Sequence, residues 1–219
     1  MRRRRSRRDV RPVWAACAAL LDYPTAGLQA ALDDIEALVP GDADLAGLAD
    51  HLRRTPLTAL QEQYVATFDH TRKCALHLTY FAHGDTRRRG RALLRFKEVY
   101  RNAGVTWDDT TGELPDHLCA VLQLGATVDV DVAAQLLADH RAGVEMLRLA
   151  LTGWRNDDGT TGSPWAGALV SLCATLPELR GDEAEAVRRL VEQGPPAEEV
   201  GLDGYGPPLI APATLKVRA

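Results

Sequence analysis

The sequence predicts an all-α protein, and three observations carry that expectation. Phe, Trp and Tyr make up only 5% of the 219 residues, while Ala and Leu recur throughout. Sheets draw on aromatic and β-branched side chains, whereas helices favour Ala and Leu. Apolar residues also return every three or four positions, with no clean two-residue alternation. A chain of this length closes one good hydrophobic core. The expectation is therefore a single compact domain of about eight to nine helices over 11–193. It is flanked by a disordered basic tail at 1–10 and a flexible Pro/Gly-rich tail at 194–219.

The elements follow in order. A first helix runs over about 11–22 and stops before Pro24, with Val13, Cys17, Leu20 and Leu21 on one face. Thr25 is placed to cap a second, bearing Leu28, Leu32, Ile35 and Leu38 and ended by Pro40-Gly41. A third covers about 43–54. Pro56 sits in the first turn of a fourth, in which Leu60, Tyr64 and Phe68 step by four. Residues 69–85 are less regular. The next helix spans about 86–103, and another begins at Pro115. The longest covers about 130–156, with His140 inside its apolar stripe as a hydrogen-bonded core histidine. Two more fit 163–177 and 181–193. From Gly194 onward the chain holds five of its 12 prolines and few large apolar residues.

Charge separates the start of the chain from the rest. Residues 1–11 carry seven Arg and one Asp, a local +6 within a net charge of -4. Subtracting +6 from -4 leaves about -10 on the body, which argues against a folded nucleic-acid surface. An Arg block of this kind is read as a solvated tail. The apolar run Val13–Leu21 is cut at about nine residues by Asp22, Tyr23 and Pro24, too short for export or for the ~20 residues of a membrane span. The four cysteines, Cys17, Cys74, Cys119 and Cys173, lie far apart with no CxxC pair. Free thiols in a reducing compartment, hence a cytoplasmic protein, are expected.

Catalytic motifs are missing from the sequence. There is no GxxxxGK[ST], no GxGxxG after a strand, no GxSxG and no HExxH. The nearest metal constellation, His70, Cys74, His77 and His83, has one tight pair only, so no metal is expected. No stably bound cofactor is expected either.

Two segments depart from the bland helical pattern. In Gly84-Asp85-Thr86-Arg87-Arg88-Arg89-Gly90, three arginines open a helix whose macrodipole prefers acids there. Asp69 and Asp85 could neutralise them as buried partners. Alternatively, Arg87 and Arg91, one turn apart, form an anion or peptide site with helix-terminal N–H groups. In Glu113-Leu114-Pro115-Asp116-His117, proline with acids around it is an ordinary helix start. Alternatively, Glu113 and Asp116 form an acidic rim, with Leu114 as apolar floor, for a basic amphipathic peptide.

With these segments in view, the chain resembles the nitrate reductase assembly chaperones of the NarJ/NarW type, within the TorD/DmsD family of redox-enzyme maturation proteins. The matching stretches are YVATFD (64–69), LTYFAHGDTRRRGRALL (78–94), KEVYRNAG (97–104) and ELPDHLCAVL (113–122). The resemblance departs at Cys74, His77 and Gln123. It implies a TorD-like all-α fold and a non-enzymatic role. Such a chaperone binds the nitrate reductase catalytic subunit, through its N-terminal segment and as apo-enzyme, until the molybdenum-guanine-dinucleotide cofactor is inserted and the enzyme docks at the membrane. The cofactor is then handled by the client, with cofactor-delivery proteins as further partners and with neither nucleic-acid binding nor membrane insertion. A sulfoxide, amine-oxide or formate molybdoenzyme is the alternative client. The expected partner-binding residues are Tyr64, Asp69, Thr79, Tyr80, Asp85, Arg87, Arg91, Glu113, Leu114, Asp116 and His117. The match also includes Arg89, and Gly84, Gly90 and Pro115 are expected to be structural.

Overall fold

The computed structural model describes residues 9–156 and 159–196, so most of both expected tails lies outside the described residues. Among the described residues there are twelve α-helices and no β-strand, only two isolated bridges. The all-α expectation holds, with more and shorter helices than expected. The first is α1 (Arg11–Leu20), which packs against α8 (Leu118–Thr127), α11 (Ala166–Thr175), α3 (Leu32–Leu38) and α4 (Ala43–Arg54). Its Trp14, Ala16, Cys17, Ala18 and Leu20 are all buried. A helix apolar on every side belongs in the middle of a bundle, which accounts for the run Val13–Leu21. Trp14 lies so close to α8 that a Cβ at Gly125 would come within 2.4 Å of its ring. Only glycine permits that approach.

Local capping explains several boundaries. The Thr25 hydroxyl accepts from Leu28 N and opens α2 (Ala26–Ala30), and the Asp42 carboxylate accepts from Leu45 N and opens α4. The expected second helix is in fact two, because Ala31 leaves helical geometry between α2 and α3. The expected long helix also divides, into α9 (Val130–Asp139) and α10 (Arg141–Thr152), at His140. The His140 ring bonds the Leu136 carbonyl at 2.9 Å and lies 5.2 Å from the Phe96 ring. Apolar periodicity runs through both breaks in phase, so it carried no sign of them.

The fourth helix, α5 (Leu57–Tyr64), continues as a π-helical turn over Val65–Asp69. Residues 69–85, expected to be irregular, contain α6 (Leu78–His83). Then come α7 (Arg87–Asn102) and, much later, α12 (Gly181–Gln193). Helix α8 begins at Leu118 rather than at Pro115, which is buried in the preceding turn. The first residues of the expected C-terminal tail are packed: the Pro196 carbonyl lies over Gly84. All four cysteines are free. Among the described residues no helix is long and apolar enough to cross a membrane.

Candidate functional site

The two unusual segments meet. Leu78 N donates to the Asp116 carbonyl at 3.0 Å and Leu118 N to the Leu76 carbonyl at 2.8 Å, pairing His77 with His117 across an antiparallel bridge. The Asp116 side chain, 0% exposed, sits at the N-terminus of α6. Its carboxylate accepts from Thr79 N at 3.0 Å, from the Thr79 hydroxyl, and from His77 Nδ1 at 3.3 Å. It therefore caps α6 from 37 residues downstream, where a negative charge also matches the helix dipole. Burial alone would raise the Asp116 carboxyl, but the bonds from His77 and Thr79 outweigh it and hold the group below its ordinary 3.8.

Arg89 closes the same cluster. Its Nε donates to the Thr79 hydroxyl at 3.3 Å, its Nη1 to Asp85 at 3.2 Å, and its Nη2 lies 3.9 Å from Asp116. The guanidinium stands 5.8 Å above the Tyr80 ring. Asp116 and Asp85, through Arg89, supply part of the compensation that three arginines at a helix start call for. Asp69 does not, because it lies exposed at the end of the π-turn. Asp85 is also exposed rather than buried, and it pairs with Arg89.

This geometry sorts the expected site residues into two sets. Thr79, Tyr80, Tyr64, Asp116 and His117 are buried, so they cannot form a displayed surface. The rim expected from Glu113 and Asp116 is corrected on this point: the Asp116 carboxylate faces inward to meet donors on α6. Asp69, Asp85, Arg87, Arg91 and Glu113 are exposed, and Leu114 is half-buried. Gly84 is structural for two reasons. Its φ of +57° suits glycine, and a Cβ would fall 1.6 Å from the Pro196 oxygen. Gly90 is not required sterically: it is helical and exposed, and a Cβ there meets nothing within 4 Å.

An acidic rim does exist, with a different membership. Tyr64, whose hydroxyl donates to the Leu21 carbonyl, is raised by burial and then by Cys119, Asp22, Asp69 and Glu113. His117 is lowered from 6.5 by burial, against the opposing pull of Glu113 and Asp22. Asp22, Asp69 and Glu113 are all exposed and each raises the Tyr64 hydroxyl, and the Glu113 carboxylate lies 4.0 Å from His117 Nε2. Beside them Tyr23 is 42% exposed and stacks edge-on against Tyr64 at 5.4 Å. Asp22 was read only as a helix stop, since nothing in its local sequence points to Glu113. Tyr64, Phe68 and Trp165 pack as a buried aromatic cluster with centroids 4.7–5.9 Å apart.

On the other side of the cluster, α7 presents Arg87, Arg88, Arg91 and Arg95 to solvent, with Leu94 65% exposed among them. Thr86 does not cap this helix, as its hydroxyl donates to the His83 carbonyl. Among the described residues no three His, Cys, Asp or Glu side chains group as a metal site. The histidines of the cluster are engaged with Asp116 and with each other, their rings 5.3 Å apart.

Comparison with known proteins agrees with this architecture. A family profile described as Nitrate reductase delta subunit matches residues 35–156, which includes both interlocking segments. The nitrate reductase-like protein NarX of Mycobacterium tuberculosis is 37% identical over 166 residues, 74% of this chain. The chain spans only 24% of that relative's length. A Bacillus subtilis protein named as the nitrate reductase molybdenum cofactor assembly chaperone NarJ is 32% identical over 177 residues, covering 78% of this chain and 91% of the relative. The crystal structure of a redox enzyme maturation protein from Archaeoglobus fulgidus superposes with a TM-score of 0.51 at 21% identity, over 84% of this chain and 94% of the other.

Proposed function

From the premise that the chain belongs to the nitrate reductase delta subunit family, we propose that it is a cytoplasmic chaperone for the catalytic subunit of a respiratory nitrate reductase. It holds that subunit through its N-terminal segment while the molybdenum-guanine-dinucleotide cofactor is inserted, and releases it before membrane docking. The chaperone performs no catalysis, in keeping with relatives named as cofactor assembly chaperones. The cofactor belongs to the client.

The observation that carries this reading is the set of exposed carboxylates of Asp22, Asp69 and Glu113 beside exposed Tyr23. Three carboxylates around exposed Tyr23 and half-buried Leu114 suit a basic segment with one apolar face, the pattern of helix-in-groove recognition. Rim charges steer such a segment and set its register, while apolar contacts supply most of the affinity. The α7 face with Arg87 and Arg91 lies across the Asp116 cluster and would engage an acidic part of the apo-enzyme. Titration calorimetry with the client's N-terminal peptide tests the proposal. Saturable micromolar or tighter binding, weakening as salt rises, is expected. Absence of binding at low salt would remove the peptide-binding role.

A further inference from the structure

Helix α7 is long, strongly basic and thinly packed. Of its 16 residues only Phe96 and Tyr100 are buried, and it packs chiefly along α6. Residues 85–102 hold seven Arg and Lys against two acids, in a chain whose net charge is -4. Arg88, Arg91 and Arg95 recur at spacings of three and four along the exposed side. Leu94, one turn from Arg91, is 65% exposed, the most of any large apolar side chain among the described residues.

The nearby carboxylates leave this side uncompensated. Asp85 pairs with Arg89 at 3.2 Å, Glu98 with Arg101 at 3.6 Å, and Asp109 with Lys97. Among the described residues no ion pair is formed by Arg88, Arg91 or Arg95. His83, just before the helix, registers the excess. Burial, and then the charges of His140, Arg88 and Arg95, hold its ring below the ordinary 6.5.

The shape of the face decides what it can meet. Clefts elsewhere lie between α1 and α9, among α6, α10 and α12, and at the turn from α3 to α4, and none of these includes a residue of α7. A partner helix is recognised by an apolar groove, whereas α7 offers a convex ridge with one apolar prong. Arginines spread around a projecting leucine suit a flat, negatively charged layer that the leucine can enter.

We propose that the outer face of α7 docks on an anionic phospholipid surface through Arg88, Arg91 and Arg95, with Leu94 entering the headgroup layer. The contact is peripheral and electrostatic. The acidic remainder of the chain is repelled by the same surface, which fixes the orientation of approach. Where this rests on the client reading above, bilayer and apo-enzyme compete for one face, and release is coupled to arrival at the membrane.

The test is sedimentation of the full chain with vesicles of mixed phosphatidylglycerol and phosphatidylcholine. Phosphatidylcholine vesicles and soluble poly-L-glutamate, the latter followed by calorimetry, are the comparisons. No client is present, so the result is separate from the client reading. Binding to the anionic vesicles at low salt is expected, with release at about 0.5 M salt. Each arginine contributes roughly fivefold, so Arg88→Gln, Arg91→Gln and Arg95→Gln combined should bind about a hundredfold more weakly. Leu94→Ser should bind about fivefold more weakly. Thermal midpoints should match the parent, because all four side chains are exposed. Replacing the six arginines within residues 2–8 by Gln should leave binding in place. Binding that survives the α7 triple variant, or that vanishes with the change at 2–8, would assign it to the start of the chain and overturn the proposal. Equal binding to both kinds of vesicle would also overturn it. Binding to poly-L-glutamate but not to anionic vesicles would give the face to an acidic protein instead.

Discussion

Glu113 and Asp116 stand three residues apart in one motif and have opposite fates. Asp116 is fully buried, with three hydrogen-bond donors on its carboxylate, and joins α6 to the turn before α8. Glu113 is exposed, as are Asp22 and Asp69, and its carboxylate lies 4.0 Å from the His117 ring nitrogen. A family motif can thus mix residues that build a site with residues that display it. Substitution should separate the two: changes in the interlock act on folding, and changes on the rim act on binding.

The sharpest way to break that division is at Asp116. Asp116→Ala strands the Thr79 N–H and leaves Arg89 with only Asp85 as an ionic partner, and should cost about 3–5 kcal/mol in denaturant unfolding. A loss comparable to that of an ordinary surface change would mean that the interlock does not hold α6. Gly84→Ala comes next. A side chain there needs an unfavourable φ and displaces Pro196, so a loss of about 2 kcal/mol is expected. Hydrogen exchange should rise at the Gly194 amide, which donates to the Leu190 carbonyl, in the same variant.

The expected dependence on pH has a definite sign. His117 and His83 are both held below 6.5, chiefly by burial. In the window between that value and their folded values, the unfolded chain binds more protons than the folded one. Stability should therefore fall as pH drops below about 6.5. Asp116, also lowered, contributes above its unfolded value and is lost only as pH falls further, through its folded value. Urea midpoints measured from pH 8 to pH 4 would reveal this. A midpoint that rises on acidification contradicts it.

Much of the fold was legible, because helix signals are local. Thr25 caps as its position suggests, and the Ala- and Leu-rich periodicity marks nearly every helical stretch. What escaped depends on distant partners. Helix α6 was hidden because its cap is the Asp116 side chain rather than a residue before Leu78. The breaks at Ala31 and His140 were hidden by apolar positions that stay in phase across them. For the site, the resemblance brought the correct segments forward but could not show which side chains turn inward. Asp116 and Thr79 were placed on the surface for that reason. Asp22, just past the end of α1, was missed because its influence on His117 exists only after α1 packs on α8.

The smallest expected effect on folding is the most telling for function. Asp22→Asn, Asp69→Asn and Glu113→Gln, combined in one chain, should leave the thermal midpoint unchanged, since all three groups are solvent-facing. The decisive measurement is titration of the client's N-terminal peptide into that triple variant and into the parent at low salt. The account predicts affinity about tenfold or more weaker in the variant, with the salt dependence largely gone. Equal affinity and equal salt dependence in the two proteins would contradict it.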